Sequence, residues 1–343
     1  MKKFLALALV GMMTLAMIGC GSTPAPATEE PAAEAAVEET VEAEEATTDG
    51  QVYKVGICQL VQHPALDAAT EGFKTAIIDA LGADAVVFDD QNASGDAATC
   101  AVIANQFVAD QDDLIFANAT PALQAAVAAT DSIPIVGTSV TDFATALDIA
   151  DWTGKTGINV TGTSDLAPLA EQAAMIKELC PDAKTVGILY CSAEANSKYQ
   201  ATVIEESLKE LGLEYKEYTA ADTNDIALVT TTACNEVDVI YVPTDNTMAS
   251  STEIIANIVE PAGIPVIAGE EGICQGCGIG TLSISYYSLG YRAGEMAVEV
   301  LKGADPATMD IDFAKELTKK YMADRCAALN ITVPADYEEI VVE

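Results

Sequence analysis

The sequence predicts an α/β protein built as two doubly wound parallel-sheet lobes joined by a three-crossing hinge. Three observations carry this expectation. Short apolar, β-branched runs recur along the chain, each followed by a helical pattern, as in stacked βαβ units. The strand and helix series runs once to about residue 157 and then restarts. Extended, glycine-flanked segments near 157–162 and a second short segment at 282–285 stand where the chain would pass between lobes.

In chain order, the first twenty residues read as an export signal rather than as part of a fold. Lys2 and Lys3 precede an apolar run over 4–18 that is too short for a membrane span and ends in Gly19-Cys20. A Cys directly after a small residue is the pattern of a bacterial lipoprotein, with Met17 where Leu is usual. Cys20 is therefore the expected lipid-attachment residue, the alternative being ordinary cleavage with Cys20 incidental. Residues 21–50 follow as Ala, Pro, Thr and Glu with almost nothing to bury. Nine acids and no base fall within 28–49, so this stretch is expected to repel itself and extend as a disordered linker.

The remaining 293 residues have room for two domains with real cores. The first lobe is expected over 51–160 with 284–310, the second over 161–283 with 311–343. The pivotal stretch is VGICQLVQHPALD (55–67), an apolar strand that breaks and resumes as a helix with Pro64 in its first turn. The 3.6-residue period over 65–81 turns Leu66, Phe73, Ile77 and Leu81 inward. A strand at 85–89 and a turn-rich loop at 90–95 lead to a helix over 96–109. The strand at 114–118 is followed by Ala119-Thr120-Pro121, a hydroxyl at the expected cap and proline after it. A fourth strand, 133–137, ends in Thr138-Ser139.

The second lobe copies the plan without a residue-level repeat. A helix over 166–179 leads to a strand at 185–190, an exit loop at 191–197 and a long helix to about 211. Strands at 214–218, 237–242 and 264–268 alternate with helices near 225–235 and 247–260. The return at 282–285 precedes a helix over 286–301 with Leu289, Ala293, Met296, Ala297 and Val300 on one side. The tail then goes back to the second lobe, completing a hinge.

Composition narrows the function. Of 53 acidic and 16 basic residues, nine acids lie in the linker and two lysines in the leader, leaving 44 against 14 in the folded part. Such a field repels nucleic acid and anionic lipid, and neither is expected as a partner. Catalytic signatures are mostly missing. His63 is the only histidine and no GxSxG elbow accompanies it, and Trp152-Thr-Gly-Lys-Thr156 has Ile149 where a P-loop needs its first glycine. Cys274 and Cys277 form one CxxC, open to reading as a disulfide, a redox pair or half a metal site; without a second pair, zinc is not expected. No metal and no cofactor is expected, and the other cysteines sit in apolar runs as buried thiols would.

Polar residues gather instead at strand exits. Gln59, His63, Thr120, Thr138, Ser139, Ser192, Glu194, Asn196, Asp245 and Glu270 all fall where the crevice between two doubly wound lobes would lie. A ligand carboxylate suits the helix start after Asn118-Ala119-Thr120, and an ammonium group needs an opposing anion, with Asp245 the first choice and Glu270 the second. The competing reading is that Thr120, Ser192 and Asp245 only cap helices. Tyr286, with Tyr287 and Tyr190, is placed to give an aromatic ligand a π face.

Six segments in order, QLVQHPALDAA (59–69), NATPA (118–122), NVTGTSD (159–165), SAEANS (192–197), PTDNT (243–247) and YYSLG (286–290), resemble the tryptophan/tyrosine-type substrate-binding lipoproteins of ABC transporters. The matching segments add Asp165 and Asn246 to the candidate ligand-binding residues. Departures occur at Gln62, where Glu is expected, and Cys191, where Asn is common. The resemblance implies a type I periplasmic-binding fold that closes on an amino acid, often aromatic, and delivers it to an ABC permease and its ATPase. It implies a monomeric, non-enzymatic, lipid-anchored protein outside the cytoplasm. Two other readings stay open at this point: a sensor of the same fold that signals to a membrane kinase, and an envelope enzyme using His63 or the CxxC.

Overall fold

The structure is a computed structural model that describes residues 51–341. The expected export signal, Cys20 and the acidic linker lie outside the described residues. The first lobe runs β1 (Tyr53–Gln59), α1 (Pro64–Leu81), β2 (Val86–Asn92), α2 (Ala97–Ala109), β3 (Leu114–Asn118), α3 (Thr120–Ala129), β4 (Ile135–Thr138), α4 (Phe143–Ala146) and β5 (Val160–Ser164). The chain crosses into α5 (Leu169–Leu179), β6 (Thr185–Cys191), α6 (Ala195–Glu210), β7 (Glu214–Ala220), α7 (Ile226–Cys234), β8 (Val239–Val242), α8 (Asn246–Ala249), α9 (Thr252–Ala262), β9 (Val266–Ala268), α10 (Glu271–Cys277) and β10 (Gly280–Ser283). It returns through α11 (Tyr286–Leu301) and β11 (Asp312–Phe313), then crosses a third time into β12 (Thr318–Tyr321), α12 (Ala323–Ala328) and β13 (Glu338–Glu339).

The strand orders are β11-β5-β4-β3-β1-β2 and β13-β12-β10-β9-β8-β6-β7. Within each lobe the first strand therefore sits between the second and the third, so the winding direction reverses beside β1 and again beside β6. Such reversals open a crevice at the carboxyl ends of the strands. Strand β3 shows why these segments are strands. Leu114 and Phe116 join Phe73, Ile77, Ala293 and Ala297 under α1 and α11, while Ile115 and Ala117 join Phe107 and Leu123 under α2 and α3. Side chains alternate faces and both faces are covered by helices, so the run must be apolar throughout. The rings of Phe73 and Phe116 stack with centroids 3.7 Å apart. Helices α1 and α11 meet through Gly72, Gly290 and Gly294, where an added Cβ would run into the facing backbone.

The boundaries differ from expectation in three places. Residues 161–164, expected in the second lobe, belong to β5, which pairs with β4 from Ile135↔Val160 to Gly137↔Gly162. Gly162, at φ +153°, is there because a side chain would collide with the Gly137 backbone, so the glycine marks a close strand pairing and not a crossing. Residues 311–313, also expected in the second lobe, carry β11, which pairs with β5 in the first sheet. The helix expected over 247–260 is two helices, α8 and α9, broken at Ser250–Ser251, and α10 forms where only a CxxC was noted. Across the cleft α4 packs against α6, and α1 against α10.

Candidate functional site

Where the two sets of strand ends face each other, the lobes leave a narrow cavity of about 10 Å³, with room for about one water. His63, Leu66, Ser139 and Thr141 line it from the first lobe. Asn196, Thr244, Asp245, Asn246, Ala249 and Glu270 line it from the second, and Asp165 and Tyr286 from two of the crossings. Among the described residues no Lys or Arg reaches it, while three carboxylates do. All three are buried, at 3% exposure or less.

The three carboxylates are not equivalent. Asp245 is the N-cap of α8: Oδ1 accepts from Met248 N at 2.8 Å and Oδ2 accepts from Cys191 N at 2.7 Å. Burial, reinforced by Glu194 nearby, pushes its pKa up to about 8. Glu270 is the N-cap of α10, accepting from Gly272 N at 2.6 Å and from Ile273 N, and burial pushes it up to about 7. Both therefore cap helices and line the cavity at once. Asp165 caps nothing. Its Oδ2 accepts from the Tyr286 hydroxyl at 2.9 Å, and its Oδ1 is buried with no hydrogen-bond partner. Burial raises its pKa against the pull of the hydroxyls beside it.

Three other cavity-lining side chains hold unpartnered buried atoms: Ser139 Oγ, Asn196 Oδ1 and His63 Nδ1. Ser139 also carries backbone strain, at φ +54° just after β4. His63 precedes α1, and its Nε2 lies 3.4 Å from Asn246 Oδ1, which ties the two lobes together across the cleft. Its pKa is lowered, chiefly by burial, so the ring is held neutral.

The remaining candidates are placed elsewhere. Gln59 braces the turn from β1 into α1, donating to Asp67 Oδ1 at 2.6 Å and accepting from Thr70 Oγ1 at 2.7 Å. Thr138 Oγ1 lies 2.8 Å from Thr163 Oγ1 and links β4 to β5. Ser192 is exposed and donates to the Ala220 carbonyl. Glu194 is saturated by the start of α8, accepting from Asn246 N, Asn246 Nδ2, Thr247 N and Thr247 Oγ1. Thr120 is not a cap: α3 begins at Thr120 itself, and the cap position is Ala119, at φ +95°. Tyr287 faces outward, and Tyr190 is buried in the second lobe against Glu217. Cys274 and Cys277 are free, buried thiols on α10, the latter pushed up to about 12 by burial and so a poor nucleophile.

Sequence reasoning missed four lining residues, Leu66, Thr141, Thr244 and Ala249. Two had a usable signal: Leu66 and Ala249 each stand three residues past His63 and Asn246, one helical turn along the same elements.

A family model described as ABC transporter substrate binding protein matches residues 54–342. The chain belongs to that family. This substrate-binding protein is 36% identical over 306 residues to a tyrosine-binding protein of Clostridioides difficile, covering 88% of this chain and 85% of the relative. It is similar to a Streptococcus pneumoniae domain solved in complex with L-Trp, with TM-score 0.82 and 31% identity over 85% of this chain and all of that one. It is also similar to a ligand-free, open substrate-binding protein with adhesive properties from Clostridium difficile, with TM-score 0.65 and 36% identity over 85% of this chain and all of that one. The higher identity comes with the lower structural score. The arrangement of lobes in this binding protein is thus nearer to the ligand-bound relative than to the open one, in keeping with the contacts across its cleft.

Proposed function

We propose that the protein is the extracytoplasmic solute receptor of an ABC importer and that its lobes close on a single aromatic amino acid. The observation that carries this is the cavity itself: buried, acidic and, among the described residues, without a cation and with four polar atoms that have no partner. Buried polar groups are almost always satisfied, so several orphans around one cavity point to a guest that satisfies them. The tyrosine-binding relative and the L-Trp complex support an aromatic guest.

In this reading the ammonium group goes to Asp165 Oδ1, which has no other partner, in preference to Asp245 or Glu270, each of whose oxygens already holds a backbone N–H. The carboxylate is held by neutral donors, the hydroxyls of Ser139 and Thr141, while Asn196, whose Nδ2 already donates to Glu194 and to the Thr244 carbonyl, offers the guest only its acceptor Oδ1. The side chain lies against Leu66, Ala249 and the Tyr286 ring. Because the groups come from both lobes and from the crossings, they converge only when the lobes are closed, and the closed form is what a permease and its ATPase would engage. A lipid on Cys20, followed by the acidic linker, would tether a monomeric receptor to the membrane, and ligand capture needs no catalytic step.

Calorimetry of the purified protein against the twenty amino acids tests the reading. Binding of Trp, Tyr or Phe in preference to aliphatic and charged amino acids is expected. Binding of none of the three overturns it.

A further inference from the structure

We infer that His63 makes the receptor selective for an aromatic ring that carries a hydrogen-bond donor, a phenol O–H or an indole N–H, over a plain phenyl ring. The inference rests on the aromatic amino acid reading above and deepens it.

Glu194 fixes the orientation of the Asn246 amide. Its Oε2 accepts from Asn246 Nδ2 at 2.6 Å and from Asn246 N at 3.1 Å. A carboxylate only accepts, so the amide nitrogen of Asn246 must face Glu194 and the amide oxygen must face away. That oxygen is the atom 3.4 Å from His63 Nε2. An amide oxygen also only accepts, so Nε2 carries the imidazole hydrogen. A neutral imidazole has one N–H, which leaves Nδ1 as a bare acceptor. Nδ1 is buried without a partner, on a side chain only 7% exposed that lines the cavity.

The surroundings of His63 say which end of a guest it meets. Leu66 lies one turn along α1 from His63, and Ala249 one turn along α8 from Asn246, so the His63–Asn246 pair has an apolar lining residue beside it on each helix. A phenol or indole donor satisfies the Nδ1 acceptor. A phenyl ring buries it unsatisfied, which costs about 1–3 kcal/mol, or roughly a 5- to 150-fold loss of affinity.

The test is calorimetry of the full chain with L-Tyr, L-Trp and L-Phe, on the parent protein and on His63→Leu. Tyr and Trp are expected to bind at least about fivefold more tightly than Phe, and the variant is expected to bring the three within about threefold. Because His63 is the only histidine, nitrogen-15 NMR of histidine-labelled parent protein gives an independent readout if the variant fails to fold. The closed, Tyr-bound protein should show the Nε2–H tautomer, and its Nδ1 resonance should differ between the Tyr and the Phe complexes. Equal affinity for Phe and Tyr, or an Nδ1–H tautomer, overturns this inference and leaves the aromatic reading standing. Binding of none of the three overturns both.

Discussion

Replacing Asp165 by Asn separates a ligand contact from a structural one. The amide keeps an oxygen for the Tyr286 hydroxyl, 2.9 Å away in the parent, and removes the negative charge from a side chain only 3% exposed. A hydrogen bond to a charged group contributes about 1.5–3 kcal/mol. With tenfold per about 1.4 kcal/mol, loss of the ammonium contact weakens aromatic amino acid binding roughly 10- to 150-fold. The ligand-free protein should respond in the opposite sense. Burial already raises the pKa of this carboxyl, so its ionised form is a cost to the fold, and the neutral amide should leave stability unchanged or higher. Isothermal calorimetry gives the affinity, and thermal unfolding without ligand gives the stability. Parent-like affinity in Asp165→Asn would refute the assignment, and so would a joint fall in affinity and stability, which marks a residue needed only for the hinge.

Three further outcomes follow from the same contacts. Asp245→Ala removes the cap of α8 and orphans the Cys191 N–H, so denaturant unfolding should show a loss of about 1–3 kcal/mol; weakened binding at parent stability would instead restore Asp245 as the ammonium partner. Asp245 and Glu270, at about 8 and about 7, retain protons in the native state that the unfolded chain has released, so ligand-free stability should fall as pH rises from about 6.5 to about 8. His63, with its lowered pKa, acts in the other direction but only below about pH 6.5. A melting temperature that rises across the upper window contradicts the placement of the two acids. Gly290→Ala drives a methyl group into the Ala69 carbonyl of α1, and chemical unfolding should register about 1–3 kcal/mol of destabilisation.

The fold was legible where one pattern dominated. Residues 114–118 are apolar without interruption because helices cover both faces, and 286–301 has one wide apolar stripe and a capping Ser285, so both elements are found with their exact ends. The split of 247–260 into α8 and α9 was hidden because Ser250 and Ser251 are ordinary on a helix surface; the break shows only in the structure, where α8 ends at Ala249 and α9 starts at Thr252. The candidate site was legible as a set of strand exits, but not as orientations. Gln59 and Thr138 end strands and Ser139 follows directly, yet Gln59 turns to α1, Thr138 to β5 and only Ser139 to the cavity. A one-residue difference in register changes the face, and register is set by neighbours far along the chain. In the sequence, capping and ligand contact stand as alternatives for Asp245, and Glu270 is read as a ligand contact alone, whereas both side chains cap helix starts that face the cavity.

The pairing of β11 with β5, and the seating of α11 on α1, have a bearing on how the chain matures. The domain begun first is finished late: its outermost ladder partner and one of the two helices over its Phe73 face are translated only after the other domain has run from α5 to β10. Until then Phe73, Leu114 and Phe116 lack part of their cover, and the nascent amino-terminal half stays incomplete. A polypeptide that must be threaded elsewhere before it folds gains time from such an arrangement, and a truncation before residue 286 should leave that half prone to aggregation.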